Sequence, residues 1–226
     1  MPSLLEADDV GKTYVTGYGP VQAVRGVSLA VAAGEFVALA GPSGCGKTTL
    51  LAMLGGFERP TGGHVRLAGR DLAQLPPREL VRLRRGELGF IFQGFHLLQN
   101  LTALENVLLP LAMQPGGAQG RLARAKELLE LVGLGARGNH FPHQMSGGEQ
   151  QRVAIARALA NAPKVVFGDE PTANLDQDTT LAVLDLFARL NRETGQTFVV
   201  ATHDPLFADY AGRFIRMRDG QLVSQG

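Results

Sequence analysis

Apolar and polar residues change period several times along this chain, and each change marks an element. Residues 3–15, SLLEADDVGKTYV, and 24–31, VRGVSLAV, read as β structure, with Val24, Gly26, Ser28 and Ala30 alternating against Arg25, Val27, Leu29 and Val31. Between them TGYGP, residues 16–20, is a turn-rich connector. EFVALA, residues 35–40, is a short apolar run of strand type, and the TTLLAMLGG that follows a glycine-rich stretch is made of helix formers. Turn signals at Thr61-Gly62-Gly63 and Ala68-Gly69 bracket a short strand, 64–67, with His64 at its surface. Pro76 and Pro77 open a helix through PPRELVRLRRGE, whose Arg78, Arg82, Arg84 and Arg85 predict a solvated face. LGFIFQ, residues 88–93, is then a buried strand ending in Gln93.

From about residue 94 to 160 the pattern is helical and contains no predicted strand. Thr102 and Glu105 form a capping box before one helix, and PGGAQG, residues 115–120, is a flexible break. Leu122, Ala125, Leu128, Leu129 and Val132 fall on one face of a second helix that Gly133 can terminate. Ser146 and Glu149 form another capping box before QQRVAIARALAN. Strand-type runs return at KVVFGDEP, 164–171, and TFVVATHD, 197–204, separated by the polar turn TANLD and a helix over 178–192. RFIRMRDGQLVSQ closes the chain as two short strands joined at Asp219-Gly220. The whole predicts one α/β domain over 1–226: residues 1–93 and 161–226 form a core with a β subdomain, and about 94–160 form an inserted helical subdomain.

The sequence GPSGCGKTTL, residues 41–50, matches the phosphate-binding pattern G-x-x-x-x-G-K-[ST] and stands between a predicted strand and helix, the setting that pattern requires. Its glycines let Ser43, Gly44, Cys45 and Gly46 turn backbone N–H groups inward, and a helix starting near Lys47 adds its positive end, with Thr49 in the first turn. Lys47 supplies a point charge for β- and γ-phosphates, and the Thr48 hydroxyl is placed to ligate Mg²⁺. Three polar tips of predicted strands belong with this loop, because ligands of open α/β sheets bind outside the carboxyl ends of the strands. Gln93 can reach the metal or the attacking water. Asp169 is placed to bind Mg²⁺, and Glu170 to deprotonate a water for in-line attack. His203 can donate to the γ-phosphate. Tyr14 and Tyr18, just upstream, are either strand-edge packing or a platform for an adenine face. At the second capping box, Gly147 and Gly148 expose bare N–H groups in a first turn where each costs about 1 kcal/mol relative to alanine. Close approach of an anionic ligand accounts for them.

Composition narrows the class. With 45% hydrophobic residues and a net charge of +1 over 226 residues, the chain can bury one substantial core, and its charge offers no case for nucleic acid or anionic lipid. A single cysteine, Cys45, excludes an internal disulfide and is compatible with a reducing compartment. The opening residues do not predict a secretion signal, and no apolar run reaches about eighteen residues, so action at a membrane must pass through a partner.

These motifs, in this order, resemble the nucleotide-binding subunit of ATP-binding cassette (ABC) transporters over essentially the whole chain: phosphate loop, strand-tip glutamine, SGGEQ, DE-ended strand, NLD turn and strand-tip histidine. The resemblance implies a P-loop NTPase fold with a mixed β-sheet core, an N-terminal antiparallel β subdomain and an inserted α-helical subdomain. It implies that Tyr14 stacks on the adenine of ATP, that Gln93 couples the Mg²⁺ site to a membrane subunit, that Glu170 is the general base and that His203 senses the γ-phosphate. It further implies a homodimer in the ATP-bound state, in which Ser146, Gly147, Gly148 and Glu149 of one copy cover the ATP of the other and Asp176 lies at the seam. The partner would be an integral-membrane permease, with this chain cytoplasmic and peripheral on the inner membrane of a bacterium, docking through Phe95, Leu97, Leu98, Leu101 and Leu104. LGFIFQGFHLLQNLTALENVLLPL is most similar to the lipoprotein-release and macrolide-export branch, with cell-division-type or other non-export ATPases as the alternative. Two positions depart from the family pattern: Glu149 stands where glutamine is common, and Gly168 where a larger apolar residue is usual, which is expected to soften its strand. DNA-handling and ribosome-associated cassettes need long coiled coils or two cassettes per chain, and a small phosphotransferase would lack SGGEQ.

Overall fold

A computed structural model describes residues 3–114 and 117–225; Pro115 and Gly116, within the expected flexible break, lie outside the described residues. The elements run β1 (Ser3–Thr16), β2 (Gly19–Ala32), β3 (Phe36–Ala40), α1 (Lys47–Leu54), β4 (Gly62–Leu67), β5 (Arg70–Asp71), α2 (Pro77–Glu87) and β6 (Leu88–Ile91). Then follow α3 (Ala103–Ala112), α4 (Ala118–Leu131), α5 (Gly147–Ala158), β7 (Val165–Asp169), α6 (Gln177–Thr194), β8 (Thr197–Thr202), β9 (Arg213–Arg218) and β10 (Gln221–Gln225). Two sheets result. The first, in the order β2-β1-β4-β5, is antiparallel. The second, β10-β9-β3-β8-β7-β6, is parallel from β9 to β6 and carries one antiparallel edge, β10.

The parallel strands read as unbroken apolar runs because both of their faces are covered. Their side chains still divide by the two-residue period. Phe36 and Ala38 of β3, Val166 of β7, and Phe198 and Val200 of β8 pack into one core with α3 to α6. Val37, Leu39, Val165, Phe167, Val199 and Ala201 pack into the other, with α1 and the antiparallel sheet. Each strand is therefore glue for two layers at once. Phe198 is fully buried, 5.1 Å from the Phe187 ring centroid and 5.6 Å from that of Phe36.

Four expectations change in detail. Val24, Val27, Leu29 and Val31 are all buried, whereas Arg25 is exposed, so simple alternation through residues 24–31 fails. The pairing register slips between Val10↔Val27 and Lys12↔Val24, and Gly26 lies at φ 59. A bulge at that glycine shifts the phase by one residue, which turns both valines inward. Leu122 is 38% exposed, while Ala125, Leu128, Leu129 and Val132 are buried as expected. Arg84 leaves the solvated face of α2, lying 5.0 Å over the Phe57 ring and donating to the Gly56 carbonyl. Gly168 does not disturb β7, which stays in register with Ile91 and Val200 on either side.

Both expected capping boxes form, Thr102 with Glu105 before α3 and Ser146 with Glu149 before α5. The stretch 98–102 is further tied down by the fully buried Asn106, whose amide donates to the carbonyls of Leu98, Leu101 and Thr102 and whose Oδ1 accepts from the Leu98 amide.

Replacing Phe198 by alanine removes a ring from the centre of this packing, and we expect a loss of about 3–5 kcal/mol in urea unfolding. Val223→Ala, at a side chain 57% exposed, should move the midpoint by less than about 0.5 kcal/mol. Equal losses for the two would refute the core as described.

Candidate functional site

Since β3, β8, β7 and β6 run parallel, their carboxyl ends share one edge of the sheet. The loop 41–46 leaves β3 there and enters α1, whose N-cap Gly46 sits at φ 106 with no side-chain cap. A Cβ at Gly46 would stand 2.2 Å from the Ala23 carbonyl oxygen, so both the left-handed backbone and the close approach of β2 demand glycine. The first-turn N–H groups of α1, which Asp or Ser would cap elsewhere, are thus left without a side-chain acceptor, as a phosphate-binding helix start requires. Ser43, Gly44 and Thr48 are exposed, Thr49 is half-buried, and Cys45 is buried with its backbone fixed by bonds to Pro42 and Gly220.

Lys47 is 6% exposed and donates to the carbonyls of Gly41 at 2.6 Å and Pro42 at 3.2 Å, with Nζ 3.6 Å from Glu170 Oε1. Thr48 Oγ1 donates to Asp169 Oδ1 at 3.0 Å, joining the loop to the end of β7. Glu170, one residue beyond that strand, takes φ 49 although it is not glycine. Its Oε2 is 2.8 Å from His203 Nδ1 and accepts from the His203 amide at 3.2 Å. Lys47, Thr48, Asp169, Glu170 and His203 therefore form one connected cluster. Burial raises the Asp169 pKa above its ordinary value; the Thr48 hydroxyl opposes this and the neighbouring Glu170 charge adds to it. A hydroxyl beside two carboxylates is an all-oxygen set that suits Mg²⁺, a cation that takes few protein ligands and keeps phosphate and water. Among the described residues no group of three or more His, Cys, Asp or Glu could hold a metal ion.

The remaining candidates lie around this cluster. Tyr14, 37% exposed, pairs with Val21 of β2, two residues from the Ala23 that abuts Gly46; Lys12 Nζ lies 5.1 Å from its ring centroid. Tyr18 stands at the tip of the β1–β2 hairpin, fully exposed. Gln93 is exposed on the loop after β6, two residues past the end of the strand expected to carry it, and its carbonyl accepts from Asn174 Nδ2 at 2.8 Å. Asn174 opens the NLD turn of the sequence, a local turn signal that says nothing of this contact. Asp176 caps α6, accepting from the Thr179 amide at 2.8 Å, and that bond holds its pKa low.

Ser146 and Glu149 satisfy each other across the start of α5, and the bond from the Ser146 amide, helped by the Ser146 hydroxyl and Arg137 and opposed by burial, lowers the Glu149 pKa. Among the described residues no hydrogen bond or ion pair joins Ser146–Glu149 to the phosphate loop. Their neighbours are other turns: a Cβ at Gly147 would meet Leu175 at 3.4 Å and Phe95 at 3.7 Å. At Gly148 it would lie 2.3 Å from Thr179 Cγ2. Close packing of α5 on α6 thus accounts for Gly148 within the chain itself, a reason the sequence did not offer. Of the expected docking residues, Leu97 is buried in the core, Phe95, Leu101 and Leu104 are partly buried, and Leu98 is 48% exposed. Core packing takes most of that set.

The ABC transporter family model matches residues 24–173. The lipoprotein-releasing system ATP-binding protein LolD of Geobacter metallireducens is 46% identical over 224 residues, 99% of this chain and 100% of that protein. The macrolide export ATP-binding/permease protein MacB of Syntrophobacter fumaroxidans is 50% identical over 221 residues, 97% of this chain but 31% of that longer protein. Among solved structures, the dimeric cassette MJ0796 in a post-hydrolysis state bound to ADP and Pi superposes with a TM-score of 0.89 at 42% identity, covering 98% of this chain and 97% of that one.

The raised pKa of Asp169 has a measurable sign. The folded, nucleotide-free chain binds this proton more tightly than the unfolded chain, so the ionised carboxylate costs stability at neutral pH, and the cost fades as pH falls through its titration. Asp169→Asn is expected to raise Tm at pH 7 without nucleotide, with the gain shrinking on acidification. A lower Tm at pH 7 would contradict the assignment.

Proposed function

This chain belongs to the ABC transporter family as an ATP-binding, ATP-hydrolysing cassette, and from that premise we propose that it couples ATP binding, dimerisation and hydrolysis to a separate integral-membrane permease. The observation that supports the reading most is the continuous cluster from the uncapped start of α1 through Lys47, Thr48 and Asp169 to Glu170 and His203. Loop amides and Lys47 receive the β- and γ-phosphates, and the ammonium exchanges its bonds to Gly41 and Pro42 for phosphate oxygens. Thr48 and Asp169, with Gln93 beside them, hold Mg²⁺, which neutralises phosphate charge. Glu170 takes a proton from water as its oxygen attacks the γ-phosphorus in line, and the bond to the ADP oxygen breaks. His203 orients Glu170 through Nδ1, leaving Nε2 to face the γ-phosphate, to which it donates only when both ring nitrogens carry protons. Tyr14 offers a ring to the adenine.

The N–H groups of Gly147 and Gly148 face the ATP of a second copy, with Asp176 at the seam, so nucleotide is part of the interface that closes the dimer. The inserted helices, about 94–160, carry the contact with the permease. LolD and MacB relatives at 46–50% identity favour a permease of the lipoprotein-release or macrolide-export type. No helix among the described residues is long and apolar enough to cross a membrane. Its place on the cytoplasmic face follows, in this reading, from its contact with the permease.

Glu170→Gln should retain ATP and Mg²⁺ binding, lose turnover by about 10²–10⁴-fold, and elute as a dimer with ATP in size-exclusion chromatography. A monomer under those conditions would sink the two-copy site. Lys47→Ala should abolish turnover, and an undiminished rate would remove the phosphate loop from the mechanism.

A further inference from the structure

The loop that carries Gln93 is held by its carbonyl groups from two directions. Asn174 Nδ2, from the turn between Glu170 and Asp176, donates to the Gln93 carbonyl at 2.8 Å. From the other side Arg157, in the last turn of α5, sends one terminal guanidinium nitrogen to the Phe95 carbonyl at 2.8 Å and the other to the His96 carbonyl at 2.5 Å. The loop is in a conformation it would not keep unaided. Phe95 and His96 are consecutive non-glycine residues at φ 58 and φ 49, and the His96 amide closes a tight turn onto the Gly94 carbonyl. Such backbone persists only where its surroundings over-determine it. Arg157 is partly buried and, among the described residues, has no carboxylate within ion-pair distance. Its charge is met by the two carbonyl dipoles, and burial draws its pKa below the ordinary guanidinium value. A planar fork with fixed donors holds two successive carbonyls in one defined geometry, which a freely rotating ammonium does not impose.

We propose that Arg157, assisted by Asn174, is a positioning residue for Gln93: it locks residues 93–96 in the strained conformation that presents Gln93 at the sheet edge occupied by Thr48 and Asp169. The proposal rests on the reading of Gln93 as a participant at the metal and water. Arg157 belongs to the helix that begins at Ser146, and Asn174 to the turn that leads to Asp176. The two holds therefore come from the two elements whose opposite ends face the second copy's nucleotide. A shift of α5 on dimer closure pulls directly on the Gln93 loop, so arrival of the second copy and placement of Gln93 become one event.

The experiment uses the full chain with Arg157→Gln, Arg157→Lys, Asn174→Ala and Gln93→Ala, each checked for a retained Tm. Asn174 lies on an exposed turn, so its variant keeps the test alive should Arg157→Gln fail to fold. Hydrogen exchange of the Phe95 and His96 amides should quicken by about tenfold in Arg157→Gln, as expected for loss of a charge-assisted hold. Arg157→Lys should recover part of it. In ATPase assays Arg157→Gln should lower kcat about as much as Gln93→Ala, with KM for ATP within about twofold, and the double variant should be no slower than Gln93→Ala alone. Unchanged exchange in both Arg157→Gln and Asn174→Ala would overturn the clamp. Multiplying losses in the double variant would overturn it too, because Arg157 would then act by another route. Unchanged turnover in Gln93→Ala would instead strike the underlying reading of Gln93, and the positioning role with it; the exchange rates tell the two failures apart.

Discussion

Parallel hydrogen bonding of β3, β8, β7 and β6 is the constraint on which the rest of this molecule depends. It forces four chain segments, far apart in sequence, to end at the same edge, and Lys47, Thr48, Gln93, Asp169, Glu170 and His203 each stand at or just beyond one of those ends. The constraint is expensive to satisfy, since each parallel neighbour needs a crossover and both faces of the sheet need cover. The two hydrophobic cores are that cover. The antiparallel sheet and α1 close one face, and α3 to α6 close the other. Because alternate residues of a single strand feed opposite cores, neither layer can shift far without disturbing the edge where the site stands.

The electrostatics of that edge follow from the geometry. Asp169 and Glu170 are adjacent in the chain and both partly buried, and a single ammonium 3.6 Å from Glu170 does not balance both. The cluster is thus short of positive charge before any substrate arrives, which favours a nucleotide that brings a divalent cation with it. Lys47 meanwhile rests on the carbonyls of its own loop. Its position is set in advance, so under the proposed function phosphates would replace those carbonyls with little reorganisation. The same preorganisation is seen in Glu170, whose left-handed backbone keeps its amide bonded to the Ala201 carbonyl while turning both carboxylate oxygens to Lys47 and His203.

Side chains outside that cluster complete the picture. Asn106, Asn174 and Arg157 each spend their donors on backbone carbonyls of the stretch 93–102. An irregular connection has no ladder to satisfy its carbonyls, so side chains do it. In doing so they tie the loop after β6 to α3, to α5 and to the turn before α6, the three places where the helical layer meets the catalytic edge.

From residue order alone came the phosphate loop with its strand and helix, both capping boxes, the apolar strands and the identities of the strand-tip groups. These are local signals: a cap, a turn or a two-residue period depends on neighbours within a few positions. Sequence also read Ser146 and its glycines as an anion site, and it missed the close packing of Gly148 against Thr179 inside the same chain. Tertiary structure decided what needs distance along the chain: the Thr48–Asp169 and Glu170–His203 pairings, the bulge at Gly26 that turns Val24 inward, the burial of Leu97, and the hold of Arg157 on a loop about sixty residues away. No window of sequence contains both partners of such contacts, so their existence rests on how the two cores stack the strands and bring those ends together.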